Sequence, residues 1–344
     1  MKYLSPLLPY CVSLVVTALT LYFIMLLMYY PPFISNYTSI LDSAKILHGV
    51  YPGGFSGEED DFSEVDLISY ERSVDSTVDF VYFSHNWYKS RQFPKNTVDW
   101  IYKRGSIPYI RLMLRSHPLN QGFNEREYSV TRIGNKELDS DLYEWFKIAK
   151  SYKKPLIVEY GTEINGDFFP WNGAYYDKSS LPFKKAYRHI IDISREVGAI
   201  NIIWSFHLND RDVPNEEWNH FENYYPGDNY IDLIVMSIYG MLTSIDTQQK
   251  YVGTELKTLY PRIAKMAPTK KIILIEWAST RDNKYQDQVE YARDGFEAIF
   301  SGNYPNLIGF SWWNEWWHNR GQIDSTMRVQ DNPKLALVFK EYLH

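Results

Sequence analysis

Eight short apolar runs recur along the chain, and this repetition limits the possible fold more than any other feature. The runs are rich in Ile, Val and Tyr and show little alternation with polar residues, a pattern typical of strands buried on both faces. They cover residues 48–51, 80–83, 107–114, 155–158, 200–206, 231–238, 271–275 and 307–313. Runs of this kind predict a parallel sheet covered by helices.

Segments with helical spacing lie between these runs and strengthen that prediction. They cover residues 96–103, 138–151, 184–197, 254–266, 286–300 and 333–343. Ser140-Asp141 and Gly198 are predicted start and stop signals, and residues 209–229 are predicted to be mostly loop. Eight alternating units predict a (β/α)8 TIM barrel with its site at the carboxyl ends of the strands. The alternative, an open doubly wound sheet, lacks a Gly-x-Gly-x-x-Gly fingerprint, because Tyr51-Pro52-Gly53-Gly54 is a turn.

The amino-terminal part of the chain has a different character. No side chain from Leu4 to Leu41 is charged, and residues 7–30 are almost continuously apolar. A helix of that length spans roughly 36 Å, more than the hydrocarbon core of a bilayer. We therefore predict a signal anchor or transmembrane segment over residues 1–32, a linker over 33–44 and a folded domain over 45–344. Lys2 weakly favours an extracytoplasmic domain, and a cleaved signal peptide with secretion is the alternative.

Composition excludes several kinds of site. The net charge of -6 argues against nucleic acid as a partner, since phosphate binding needs concentrated Lys and Arg. Cys11 is the only cysteine, which excludes a disulfide framework and a cysteine zinc site. The 8 histidines are dispersed, so no metal and no cofactor is predicted. Aromatic residues make up 17% of the chain, and we expect many of them to line a surface groove.

Two glutamates follow apolar runs and are candidates for acid–base chemistry. Glu163 lies in the polar and aromatic stretch from Gly161 to Trp171, and Glu276 ends the seventh run. A carboxylate beside the Asn165 amide and a group of aromatic rings supplies a proton donor, a hydroxyl-binding group and platforms for sugars. Strands four and seven of a barrel can direct two carboxylates into one cleft, as glycoside hydrolysis with retention requires. A polar turn and an ion-paired glutamate are the structural alternatives.

Further motifs occur in a fixed order along the chain. They are Tyr51-Pro52-Gly53-Gly54, Glu163 to Trp171, Tyr187-Arg188-His189, Ile203-Trp204-Ser205, Tyr225 to Asp232, Ser237-Ile238-Tyr239-Gly240 and Ile275-Glu276-Trp277. This ordered set resembles the glycoside hydrolases of family 26, barrel enzymes that act with retention on β-mannans, β-glucans and some xylans. The resemblance runs through most of the predicted domain.

The resemblance implies roles for individual residues. Glu163 matches the general acid/base of the family, Glu276 its nucleophile, and Tyr239 the tyrosine that holds the nucleophile. Predicted sugar contacts are Asn165, Trp171, Tyr239, Trp277 and Trp313. Asn165 is equally typical of a turn.

Two positions depart from the family pattern, which usually has a histidine before the acid/base and an arginine three residues earlier. This chain has Thr162 and Glu159 there. Glu159 is predicted to point into the barrel and to need a cation, for which Arg111 is the candidate. His207 is a candidate replacement contact with the substrate, although a lone histidine is more often structural.

Other acidic residues compete for the nucleophile role. Glu315 follows the eighth run, and Asp210 and Asp212 follow the fifth. The function predicted from the whole sequence is a membrane-anchored retaining endo-β-glycanase acting on a β-linked mannan, glucan or xylan. A membrane-anchored transglycosylase and a non-catalytic carbohydrate-binding protein are the alternatives.

Overall fold

Eight parallel strands close into a barrel in chain order. The structure is a computed structural model that describes residues 38–42, 45–54, 61–118, 125–319 and 323–344. The first and eighth strands pair from Leu47 with Gly309 to Tyr51 with Trp313, which closes the sheet. The strands are β1 Leu47–Tyr51, β2 Phe80–Asn86, β3 Ile107–Met113, β4 Leu156–Tyr160, β5 Ile202–Asn209, β6 Leu233–Ser237, β7 Lys271–Trp277 and β8 Leu307–Trp313. The predicted barrel is confirmed, and the open sheet is excluded.

Helices cover the outside of this barrel. They are α1 Glu64–Val74, α2 Lys95–Lys103, α3 Val130–Gly134, α4 Asp139–Ser151, α5 Leu181–Val197, α6 Phe221–Tyr224, α7 Val252–Met266, α8 Gln288–Phe300 and α9 Pro333–Leu343. All six predicted helices are confirmed. Three helices were not predicted: α3 and α6, because they have only five and four residues, and α1, because charged residues interrupt its apolar spacing.

Signals at the helix ends were predicted with mixed success. Gly198 ends α5 with a positive φ of 80°, which glycine adopts without strain. Helix α4 begins at Asp139, so Ser140-Asp141 lies in its first turn rather than before it. Acidic side chains there still favour the helix, because they face its positive end. The segment 209–229 is mostly loop, as predicted, with α6 and two short 3-10 turns.

A two-stranded hairpin follows the barrel, with β9 Trp316–Asn319 antiparallel to β10 Ile323–Thr326. Side-chain and main-chain bonds fasten its base to the loops after β6 and β7. The Ser325 hydroxyl donates to the Leu242 carbonyl at 2.6 Å, and the Arg281 amide donates to the Thr326 carbonyl at 2.9 Å.

The predicted signal anchor, residues 1–32, lies outside the described residues, as does most of the linker 33–44. Within the ranges that the structure describes, no helix has the length and apolar character needed to cross a membrane. The domain boundaries therefore stay predictions.

Candidate active site

Glu163 sits on a tight turn just past the end of β4. Gly161 has a φ of 80° and Glu163 a φ of 48°, so both residues have left-handed backbone. For a glutamate this conformation costs on the order of 1–3 kcal/mol and persists only where the surrounding structure fixes it. Main-chain bonds fix it here, since the Ile164 amide donates to the His207 carbonyl at 3.2 Å and the Gly166 amide to the Glu163 carbonyl at 2.8 Å. The turn presents a half-buried Glu163 side chain at the carboxyl end of the barrel.

Asn165 anchors this turn to the loop after β5. Its Nδ2 donates to the Asn209 carbonyl at 3.0 Å, the Arg211 carbonyl at 3.1 Å and Asp212 Oδ1 at 2.9 Å, and its Oδ1 accepts from the Asn209 amide at 2.7 Å. The amide is saturated by protein groups, which corrects the predicted sugar contact. Asn165 instead holds the turn that carries Glu163.

Glu276 is the last inward-facing residue of β7 and is only 3% exposed. Two tyrosine hydroxyls donate to its carboxylate, Tyr82 to Oε1 at 2.8 Å and Tyr239 to Oε2 at 3.0 Å. Burial, together with the charges of Glu276 and Glu163, raises the pKa of Tyr239 well above its ordinary value. Tyr239 therefore stays protonated and remains a donor to Glu276.

The surroundings of Glu163 raise its pKa to about 7. Burial is the largest cause, and repulsion from Glu276 adds to it, whereas His207, a hydrogen bond from Ser237 and Arg111 act in the opposite direction. A carboxyl group with such a pKa can give and take back a proton near neutral pH. The repulsion that Glu276 exerts on Glu163 also indicates that the two carboxyl groups face the same space.

Glu159 lies deeper in the barrel and is fully buried. Its carboxylate accepts hydrogen bonds from Tyr109 at 2.9 Å and Thr162 at 2.7 Å, and its Oε1 lies 2.8 Å from the Tyr82 hydroxyl, whose single hydrogen is shared with Glu276. Burial alone would raise the pKa of Glu159, but His207, Arg111 and Thr162 outweigh it and hold that pKa below its usual range.

The predicted cation is present beside Glu159. Arg111 pairs with Glu159 in the β3–β4 register, and its Nε lies 3.9 Å from Glu159 Oε1 and 3.7 Å from Glu276 Oε1. The same Nε donates to Thr162 Oγ1 at 2.9 Å. Thr162 thus connects Arg111 to Glu159, at the position where the family usually has a histidine.

His207 is fully buried at the end of β5. Its Nδ1 lies 3.0 Å from Glu159 Oε1 and its Nε2 2.8 Å from Ser237 Oγ. Burial would lower the pKa of His207, but the charge and hydrogen bond of Glu159 outweigh burial and raise it. Both ring nitrogens are engaged inside the protein, which corrects the predicted substrate contact.

Arg111, Glu159, His207 and Glu276 together form what we call the buried ion cluster. The donor atoms of Glu159, His207 and Glu276 lie within 4.8 Å of one another, the only such set found among the described residues. These atoms already bind tyrosine, threonine and serine hydroxyls, and a guanidinium lies beside both carboxylates. A second positive charge would be repelled by Arg111, so the chemistry of this set favours an ion cluster over a metal site.

One predicted aromatic platform, Trp313, lies beside the two tyrosines that bind Glu276. Trp313 is 5% exposed, stacks on Tyr51 with ring centroids 3.8 Å apart, and has Tyr239 at 6.5 Å. Its Nε1 donates to Glu315 Oε2 at 2.8 Å, so the Glu315 carboxylate orients this ring. That contact favours Glu276 over Glu315 as the nucleophile.

The other two predicted platforms are buried. Trp171 is 1% exposed, stacks on Phe169 and donates from Nε1 to the Thr162 carbonyl at 2.8 Å. Trp277 is 0% exposed and lies on the outer side of the barrel, where α8 packs against it. Neither ring has a face open to a sugar, which corrects both predictions.

The remaining acidic candidates are ion-paired. Asp210 Oδ2 lies 2.5 Å from Lys250 Nζ, and Asp212 Oδ2 lies 2.9 Å from Arg262 Nη2. Asp212 also accepts from the Phe221 amide and from Asn165, so it supports the loop after β5.

Sequence reasoning did not find Tyr82, Tyr109 or Ser237, which hold the glutamates and His207. Tyr82 and Tyr109 lie on the inward face of β2 and β3, and period-2 alternation from Arg111 would have indicated Tyr109. Ser237 lies in the Ser237-Ile238-Tyr239-Gly240 motif, but no role was predicted for it, because a serine at a strand end is common.

Comparisons with known proteins agree with this geometry. Residues 124–279 match the model of Glycosyl hydrolase family 26. Endoglucanase H of Acetivibrio thermocellus is 26% identical over 283 residues, which is 81% of this chain and 29% of that enzyme. A mannan endo-1,4-beta-mannosidase of Bifidobacterium adolescentis is 26% identical over 135 residues, 39% of this chain and 13% of that enzyme. Residues 124–279 thus resemble glycoside hydrolase family 26.

The chain thus spans less than a third of the length of either curated relative. Among solved structures, the catalytic domain of an endo-beta-1,4-mannanase of family 26 from Bacillus sp. JAMB-750 has a TM-score of 0.62 at 17% identity, covering 90% of this chain and 88% of that one. At this identity the likeness shows the shared barrel. The family matches confirm the predicted resemblance and support the prediction of a glycoside hydrolase.

Proposed function

We propose that the family 26-like domain is a retaining endo-β-glycanase that cleaves a β-linked mannan, glucan or xylan. The observation that carries this proposal is the unequal pair of glutamates at one end of the barrel. Glu163 has a pKa near 7, whereas Glu276 is held by two tyrosine hydroxyls. Two carboxyl groups with different environments suit the acid and nucleophile roles of retaining hydrolysis.

In the first step the Glu276 carboxylate attacks the anomeric carbon while the bond from that carbon to the leaving oxygen breaks. The Glu163 proton goes to this oxygen, leaving a glycosyl ester on Glu276 and an ionised Glu163. In the second step Glu163 takes a proton from water, whose oxygen attacks the same carbon and releases Glu276. Two displacements restore the original anomeric configuration.

Trp313 and Tyr239 support binding of the sugar that reacts, since Tyr239 bonds Glu276 and the Trp313 ring lies beside Tyr239. Trp316 and Trp317 are half-buried on the hairpin after β8 and are candidates for contacts with neighbouring sugars. The apolar CH faces of a pyranose ring stack on such side chains, and polar loop groups bind its hydroxyls.

The test is incubation of the full chain with β-mannan, mixed-linkage β-glucan and xylan. We expect new reducing ends from one of these polymers, first in the β configuration by NMR, and none with Glu163→Ala or Glu276→Ala. Products that form first in the α configuration, or no cleavage of any β-linked polymer, contradict the proposal. Acceptor sugars added to the reaction reveal a transglycosylase, and binding without products reveals a carbohydrate-binding protein.

We also propose that residues 7–30 attach the chain to a membrane, with the barrel on the extracytoplasmic side. The length and apolar character of this segment support attachment. Alkaline extraction of membranes and protease digestion of intact cells test it. Release of the chain by alkali contradicts the anchor, and protection from protease contradicts the orientation.

A further inference from the structure

His207 connects Glu159, deep in the barrel, to Glu163 at its mouth. Its Nδ1 faces Glu159 Oε1 at 3.0 Å and its Nε2 faces Ser237 Oγ at 2.8 Å, and the Ser237 hydroxyl in turn bonds Glu163. A carboxylate only accepts, so Nδ1 carries a hydrogen. The chain of contacts runs from Glu159 through His207 and Ser237 to the proposed acid.

The charges of the side chains along this series of contacts sum to zero only when His207 is protonated. Arg111 and an imidazolium carry two positive charges, and Glu159 and Glu276 carry two negative charges while Glu163 holds its proton. In the reaction proposed above, Glu276 loses its charge to the ester as Glu163 gains one. The sum over these five side chains is therefore zero before and after the step.

We propose that His207 is an imidazolium fixed by Glu159, and that these two positioning residues, through Ser237, stabilise the negative charge that alternates between Glu276 and Glu163. The inference rests on the proposed function for its role in turnover. An isolated charge in such a buried site would be costly, and a cation facing both glutamates reduces that cost in each step.

Other charged and titratable groups face the same space. From β2, β3 and the loop after β6 these are Tyr82, Tyr109, Arg111 and Tyr239, and Tyr187 faces Glu159 from α5. Burial keeps the tyrosines protonated, because it raises the pKa of each well above its ordinary value. Arg111 stays charged, so Glu163, whose pKa is raised to about 7, is the group of this set that changes protonation near neutral pH, while Glu159 raises the pKa of His207.

The test compares His207→Asn, Glu159→Gln and the double variant in the full chain, with pH profiles of kcat/KM on the polymer that the wild type cleaves. Removing the imidazolium should shift the basic limb of the pH profile to higher pH by about one pH unit or more, because a cation then no longer favours ionised Glu163. Glu159→Gln should move it in the same direction, since His207 then gives up its proton. The double variant should shift the limb no further than His207→Asn alone.

His48→Asn is the matched control, because His48 is also a buried histidine on a barrel strand but bonds Tyr70 at 2.8 Å. His48→Asn should lower the free energy of unfolding and leave the pH of the basic limb of kcat/KM unchanged. An unchanged limb in His207→Asn, a double variant whose shift is the sum of the two single shifts, or activity lost in EDTA and restored by Zn²⁺ would each overturn the proposal.

Two NMR measurements test the inference without turnover. The ¹⁵N signals of the wild-type His207 ring, assigned by their loss in His207→Asn, should show both nitrogens protonated at pH 7, and a neutral ring overturns the proposal. The ¹³C carboxyl signal of Glu163, assigned with Glu163→Gln, should titrate at higher pH in His207→Asn. If the wild type cleaves no polymer, the proposed function fails while these titrations still decide the charge of His207.

Discussion

Glu276 and Trp277 are neighbours in the sequence but belong to opposite regions of the barrel. Inside the carboxyl end of the barrel, the aromatic residues around Glu276 include Tyr82, Tyr109 and Tyr239, whose hydroxyls bind carboxylates. Outside, Trp277 packs in an aromatic layer with Phe296, Phe310, Trp312 and Phe339. Aromatic residues therefore serve two purposes in this barrel. Those inside orient charged side chains, and those outside bury apolar surface.

The layer outside is packed closely enough to constrain the helix that covers it. A Cβ at Gly295 of α8 would lie 2.2 Å from Trp277 Cζ3, so only glycine allows this approach. We therefore expect substitutions inside the barrel to change activity and substitutions outside to change stability. The four predictions below test that division.

The largest effect is expected for Glu276→Ala. Loss of the nucleophile should reduce kcat by at least about a thousandfold, while the binding of oligosaccharide is kept because the aromatic contacts remain. Initial rates and calorimetric titration measure the two quantities. Glu315→Ala is the comparison at the end of the next strand, and a greater loss of kcat there than in Glu276→Ala would show that the nucleophile is misassigned.

Glu163→Gln should reduce kcat/KM by about 10² to 10⁴-fold, since proton transfer to the leaving oxygen is lost. In the wild type, kcat/KM should fall as pH rises through about 7, because Glu163 then loses the proton it must donate. The variant should lack this basic limb, as measured by pH profiles of both proteins. A limb near pH 7 that persists in Glu163→Gln would mean that another group titrates.

Much of this division was predictable from the sequence, because each strand of a barrel is buried on both faces and reads as an apolar run. Glu163 and Glu276 stood out as carboxylates at the ends of such runs, and Arg111 as the cation that an inward Glu159 needs. Trp277 was misassigned although the signal was present, since period-2 alternation turns the residue after an inward Glu276 outward.

Other features could not be read from the sequence. Trp171 and Asn165 lie on an irregular turn, where no period indicates the direction of a side chain. The contact of His207 with Glu159 joins β5 to β4, and its contact with Ser237 joins β5 to β6. Pairing of this kind depends on the register of the closed barrel, which a single sequence does not specify.

Trp277→Ala tests the outer region. Loss of a fully buried indole should lower the free energy of unfolding by about 3–5 kcal/mol, because the tightly packed layer cannot close the cavity. Urea unfolding measures this change, and kcat of the folded protein at low temperature should stay near the wild-type value. A large loss of kcat with little loss of stability would contradict the separation of the two regions.

The smallest effect is expected from a matched pair of tyrosines, one in each region. Tyr239→Phe removes one of the two tyrosine hydrogen bonds to Glu276, worth about 1.5–3 kcal/mol for a charged acceptor, so kcat should fall about tenfold or more with little change in KM. Tyr291 donates to the Ile238 carbonyl at 2.6 Å beside Trp277. Tyr291→Phe should therefore cost about 1 kcal/mol of stability and leave kcat unchanged. If both variants lost activity equally, the hydroxyl of Tyr239 would have no special relation to the nucleophile, and the distinction between inner and outer aromatics would rest on packing alone.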